Sequence, residues 1–188
     1  FPEGESKRIL RAAHIIRQQG LAHPVLLGNP ETIKAVAEEF EIDMIGIEII
    51  DPTNSDKLQT YAEGYHAKRG RKGITLEKAL KRLRTKRNYF GLRMLESGDC
   101  DAVLSGVMLD YPATIRPALE IIDLNPGVSR VSGLFAMIKE SKLYLFSDTT
   151  VNINPTSEEL AEIVNRWHDL PEHIKAAIKA LIQTRITE

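Results

Sequence analysis

The sequence predicts an α/β fold: a parallel sheet with helices on both faces, followed by a β-hairpin and C-terminal helices. Two observations carry the sheet. Short apolar runs closed by Gly or Asp-Pro alternate with longer segments whose apolar residues recur at helical spacing. A third observation carries the hairpin: residues 131–139 and 142–146 are two extended runs separated by Glu140-Ser141.

The elements follow in order. Ser6 can cap a first helix in which Ile9, Leu10, Ala13 and Ile16 share a face, with Gly20 as its stop. Pro24-Val25-Leu26-Leu27-Gly28 is a buried strand. Asn29-Pro30-Glu31 supplies an N-cap, a proline at the first helical position and an acid in the first turn. Ile47-Glu48-Ile49-Ile50 is a second strand, stopped by Asp51-Pro52. Helical patterns cover residues 54–68 and 76–96. Ala102-Val103-Leu104-Ser105-Gly106 reads as a third strand, and a helix is expected from Pro112 through Ile122. After the hairpin, Asn154-Pro155-Thr156-Ser157 starts another helix. A final helix over residues 171–184 carries the apolar stripe Ile174, Ala177, Ile178, Leu181 and Ile182. In parallel sheets of this kind ligands sit beyond the carboxyl ends of the strands, where Gly28, Asp51 and Ser105-Gly106 fall.

Composition narrows the function classes. The 188 residues are 43% hydrophobic and 27% charged, as in ordinary soluble globular proteins. A single cysteine, Cys100, excludes an internal disulfide, fits a reducing compartment and reads as a small packed hydrophobe. No apolar run reaches the roughly 20 residues of a membrane span, and no signal peptide is expected. The chain opens on Phe1 rather than Met, which predicts an excised or incomplete segment. The five histidines lie too scattered for a metal site, so none is expected.

The net charge of -1 conceals a cluster. Eleven of the 25 basic residues fall between Lys68 and Arg93, with Glu77 the one acid among them. Such a patch attracts phosphates, and it reads equally as a solvated helix face. It lacks the aromatic interleaving of single-strand nucleic-acid binders. In Thr114-Ile115-Arg116-Pro117-Ala118, Arg116 follows an expected strand, turn and helix start, where a guanidinium can hold an anion bidentately and equally can face solvent. Ser105-Gly106 allows close backbone approach to a ligand and equally makes a tight turn. Asp148-Thr149-Thr150-Val151-Asn152 reads as a polar site loop or as a capped turn.

Taken together and in this order, several segments resemble the phosphate acetyltransferase and phosphate butyryltransferase family. They are Phe1-Pro2-Glu3-Gly4, Pro24-Val25-Leu26-Leu27-Gly28, Arg87-Asn88-Tyr89-Phe90-Gly91, Asp101-Ala102-Val103-Leu104-Ser105-Gly106, Thr114-Ile115-Arg116-Pro117-Ala118-Leu119, Pro126-Gly127-Val128 and Phe146-Ser147-Asp148-Thr149-Thr150-Val151-Asn152. The resemblance spans about residues 1–163. It implies a transferase-like α/β domain over 1–127, the start of a second domain over 128–163, and an unmatched helical tail over 164–188. It also implies that Arg116 contacts the phosphate or acyl end of the ligand as the catalytic arginine, and that Ser105, Gly106, Thr114 and Arg87 bind substrate. The implied ligand is coenzyme A, acetyl-CoA or acetyl phosphate, with no metal. The implied setting is a cytoplasmic homo-oligomer.

The variant that Tyr111–Pro117 and Asp148–Thr156 resemble is the domain fused behind bacterial hybrid NADP-dependent malic enzymes. Leu109-Asp110 stands where phosphate acetyltransferases tend to carry His-Ser. That departure argues against direct acetyl transfer, and the resemblance to the hybrid enzymes implies a regulatory, acetyl-CoA-binding and structural domain with an upstream malic enzyme partner. The family's late Ser-Arg pair and Asp find no match in the tail, which implies a chain inactive alone. A working phosphate acyltransferase, and a nucleic-acid-binding module using residues 68–93, are the alternatives.

Overall fold

A computed structural model describes residues 1–126, 128, 130–139, 142–147, 151, 156–158 and 161. The chain divides into two units, Phe1–Asp123 and Leu124–Glu188.

The first unit is built on two parallel strands, β1 (Val25–Leu27) and β2 (Glu48–Ile50), paired Val25 to Glu48 and Leu27 to Ile50. Side-chain alternation on β1 creates two cores. Leu26 points to one face and packs with Ile9, Leu10 and Ala13 of α1 (Lys7–Gln18) and Ile33 and Ala37 of α2 (Pro30–Glu39). Leu27 points to the other. It joins α3 (Leu58–Arg69), α4 (Leu76–Thr85), α5 (Arg87–Glu96) and α6 (Tyr111–Ile121) through Tyr61, Tyr65, Leu83, Phe90 and Ile121. The expected parallel sheet with helices on both faces is therefore present.

The third expected strand is not. Residues 102–106 make no ladder. The edge of β1 opposite β2 is taken by the N-terminal segment: Leu27 N–H donates to the Phe1 carbonyl (3.0 Å), and Gly4 N–H to the Leu27 carbonyl (3.2 Å). A Cβ on Gly4 would stand 2.8 Å from that carbonyl oxygen, so the approach requires glycine. Val103 still packs on the core, while the Ser105 hydroxyl and Gly106 N–H are committed to side chains elsewhere.

The single helix expected over residues 76–96 is two. Lys86 is extended (φ −123°, ψ 90°) and breaks it. The two halves need different environments. α4 buries only Ala79 and Leu83, whereas residues 88–94 of α5 are buried without interruption. A one-sided helix cannot continue straight into a fully buried one, and the break turns α5 into the core.

The caps are where side-chain chemistry sets boundaries. Asn29 Oδ1 accepts from the Glu31 and Thr32 N–H groups at 2.9 and 3.0 Å, as its sequence signature predicts. α6 begins one residue earlier than expected because Asp110 caps it, accepting from Ala113 N–H at 3.0 Å. Replacing Asp110 with Ala is expected to cost about 1 kcal/mol of stability, read as a lower denaturant midpoint at unchanged slope.

In the second unit, β3 (Leu134–Lys139) and β4 (Lys142–Ser147) form the expected antiparallel hairpin, with Phe135 opposite Phe146 and Met137 opposite Tyr144. The helix expected over 171–184 and most of the loop 148–152 lie outside the described residues.

Candidate anion-binding site

Within the first unit, a cavity of about 950 Å³ opens between the N-terminal segment, the α4–α5 junction and the start of α6. Its walls include Glu3, Glu5, Arg84, Lys86, Arg87 and Arg116.

α6 carries an internal proline, Pro117, directly after Arg116. A proline has no N–H for the carbonyl four residues back, that of Ala113. The Asn88 side chain fills the gap, donating from Nδ2 to the Ala113 carbonyl at 3.4 Å. Its Oδ1 accepts from the Ser105 hydroxyl at 3.2 Å. One buried amide thus ties α6 to the preceding loop. One turn beyond Arg116, Glu120 Oε2 accepts from Tyr65 Oη (2.6 Å), Tyr89 Oη (3.1 Å) and Arg82 Nη1 (3.1 Å). Three helices are thereby fixed to α6. Burial, then the bond to Glu120, pushes the Tyr65 hydroxyl up from its ordinary value, so it stays a donor.

The acids around the cavity are all engaged. Glu3 accepts from four backbone N–H groups. Glu5 pairs with Arg87 and accepts from Asn29 N–H at 2.9 Å. Asp110 caps α6. The cations divide differently. Arg87 is held by Glu5, and Lys7 lies 3.5 Å over the Phe40 ring. Arg84, Lys86 and Arg116 are exposed and make no ion pair among the described residues. Three uncommitted cations on one concave surface attract anions.

Of the residues read from sequence, Arg116 and Arg87 line this cavity together. Ser105 and Gly106 lie behind its wall, bonded to Asn88 and Glu3. Thr114 turns back to its own helix, its hydroxyl donating to the Asp110 carbonyl at 3.2 Å. Asn88, Glu3, Arg84 and Lys86 were not singled out as site residues. The proline within α6 is a sequence signal that the Ala113 carbonyl needs another donor, and the structure supplies it from Asn88. Four of the eleven clustered bases, Lys68, Arg82, Arg87 and Arg93, are in ion pairs. Cys100 packs against the core, and burial pushes its thiol up from the ordinary value, away from nucleophilic use. Among the described residues no group of three potential ligands could hold a metal ion, and no helix is long and apolar enough to cross a membrane.

The carboxylates give the unit a pH dependence. For Glu3, Glu5 and Asp51, burial pushes the pKa up, but hydrogen bonds outweigh it and the net shift is downward. A carboxyl depressed in the folded state stabilises above its unfolded value, and that stability is lost as pH falls through the folded one. The thermal midpoint is therefore expected to hold near neutrality and to fall below about pH 4.5, the ordinary glutamate value. Glu5→Gln should flatten that fall.

An α/β unit presenting uncommitted cations to a concave cavity has the electrostatics of an anion site. Its relatives are specific. A family described as phosphate acetyl/butaryl transferase matches residues 1–180, further than the resemblance over residues 1–163, and the chain belongs to that family. The phosphate acetyltransferase of Clostridium acetobutylicum is 44% identical over 167 residues, covering 86% of this chain and 50% of that protein. That of Nitratidesulfovibrio vulgaris is 41% identical over 163 residues, covering 87% and 23%. Among solved structures, a phosphotransacetylase from Streptococcus pyogenes superposes with a TM-score of 0.78 at 38% identity, covering 87% of this chain and 50% of that one. The chain spans half or less of the length of these relatives.

Proposed function

We propose that the cavity is this chain's part of a site that moves an acyl group between coenzyme A and inorganic phosphate. The observation that carries the reading is the trio Arg84, Lys86 and Arg116, uncommitted and facing one cavity whose acids are all engaged. Every participant in this reaction is anionic. In the forward direction a phosphate oxygen attacks the thioester carbonyl, the C–S bond breaks, and acyl phosphate and the CoA thiolate leave. Negative charge develops on the carbonyl oxygen and then on sulfur. A guanidinium already aimed at the site stabilises that charge without reorganising. Arg116 takes this role, because its helix is anchored by Asn88 and Glu120 while its own charge is free. Arg84 and Lys86 hold phosphates of the coenzyme. Arg87, held by Glu5, shapes the wall. Ser105, Gly106 and Thr114 support that wall rather than contacting substrate.

The two relatives named above, both described as phosphate acetyltransferases, support acetyl-CoA as the first ligand to test. Calorimetric titration of acetyl-CoA into the chain should show saturable binding that weakens with salt. S-acetylpantetheine, which lacks the phosphates, should bind far more weakly. Absence of saturable heat overturns the reading. A second reading, a regulatory acetyl-CoA-binding domain of a homo-oligomeric hybrid malic enzyme, is favoured by the resemblance of residues 111–117 and 148–156 and by Leu109-Asp110. Phosphate-dependent release of free thiol by the full-length protein would exclude it, whereas binding without turnover would support it.

A further inference from the structure

Glu3 is only 8% exposed and faces no ion-pair partner among the described residues. Its charge is met by peptide dipoles instead. Oε2 accepts from Gly106 N–H (3.0 Å) and Val107 N–H (3.2 Å), and Oε1 from Met108 N–H (2.6 Å) and Leu109 N–H (3.1 Å). Four successive N–H groups converging on one carboxylate make a concave anion nest, and here the chain fills that nest with its own side chain.

The location gives the contact its consequence. Glu3 lies between Pro2, which is buried, and Gly4, which bonds to β1, so its backbone is fixed to the sheet edge. The loop it gathers runs straight into the Asp110 cap of α6, the helix that bears Arg116. Met108 and Leu109, two of the four donors, line the cavity. Residues 102–106, which lead into this loop, make no strand ladder, and the N–H groups of residues 106–109 are held by the Glu3 carboxylate.

We propose that Glu3 is a positioning residue for the cavity: by gathering the N–H groups of residues 106–109 it sets the cavity wall and the start of the helix that presents Arg116. This deepens the acyl-transfer reading and rests on it only for the ligand used as a probe. A residue that merely adds stability would, when replaced, lower the melting temperature without singling out this loop. A positioning carboxylate leaves a vacancy of its own shape, which a small carboxylate can refill.

The test uses the full chain as wild type, Glu3→Ala and Glu3→Gln, with amide hydrogen exchange and acetyl-CoA titration on each, with and without millimolar formate. Glu3→Ala should speed exchange at residues 106–114 by on the order of tenfold or more and weaken acetyl-CoA binding by a similar factor. Formate should reverse both effects in Glu3→Ala and leave wild type unchanged. Glu3→Gln, which keeps the shape but loses one acceptor and the charge, should fall between the two, resist formate and serve should the alanine variant fail to fold. Unchanged exchange at 106–114 in either folded variant overturns the proposal, as does faster exchange spread evenly over the first unit. If exchange responds as stated but wild type itself fails to bind acetyl-CoA, the acyl-transfer reading falls and the assignment of Glu3 stands.

Discussion

Replacing Glu96 with Ala is expected to lower the unfolding free energy by about 3 kcal/mol. Glu96 is the carboxylate between two cations, Arg93 and Lys68. Arg93 is 6% exposed, and its Nε has no hydrogen-bond partner among the described residues. Burial already presses its pKa below the ordinary arginine value. Without Glu96 the guanidinium is a buried charge with no counterion. Lys68 is better placed, because it also donates to the Ile121 carbonyl at 2.8 Å and to Asp123 at 2.6 Å. The space for Arg93 is itself built into the sequence: a Cβ on Gly64 of α3 would run into the guanidinium. Removing both charges should therefore cost less than removing one. A denaturant titration should place Arg93→Met/Glu96→Ala above Glu96→Ala in midpoint. A double variant that is weaker by the sum of the single losses would show that the pair is not coupled.

Arg116→Ala should leave stability nearly untouched and weaken acetyl-CoA binding by roughly ten- to a hundredfold, the range for a lost charged hydrogen bond. The two halves of this prediction have the same origin. Arg116 is exposed and makes no ion pair among the described residues, so nothing in the folded chain misses it. Arg116→Lys should retain part of the affinity, because it keeps the charge and loses the planar fork. Arg87→Ala should behave differently. Its removal frees Glu5, which also holds Asn29 N–H, so both stability and affinity should fall. Calorimetric dissociation constants beside thermal midpoints for the three variants separate a ligand contact from a wall support.

The contrast between Arg116 and Glu3 shows what the sequence made legible. Arg116 stood out because it follows an expected strand, turn and helix start within a recognisable motif, and its proposed role needs no distant partner. Glu3 lay in an equally recognisable motif, yet its partners are backbone groups more than a hundred residues away, which no local pattern encodes. Asp110 drew notice as a departure from the family pattern, while its visible work is to cap α6. Arg84 and Lys86 were hidden in a cluster of eleven bases, and only the ion pairs show which of them are free. The helices on both faces followed from periodicity, because Leu26 and Leu27 alternate as a doubly covered strand must. The third strand failed because an apolar run announces burial, not a hydrogen-bonding neighbour. The break at Lys86 was missed for a related reason. Both flanking segments have helical spacing, and only the burial of α5 on all sides requires a turn between them.

The most direct measurement is an amide chemical-shift map of the isotope-labelled chain during an acetyl-CoA titration. The account predicts saturable changes concentrated in residues 84–89 and 106–116, on both walls of the cavity. No saturable change would contradict it. So would changes confined to the α1–α2 face or to the separate groove beside Tyr61 and Asp99.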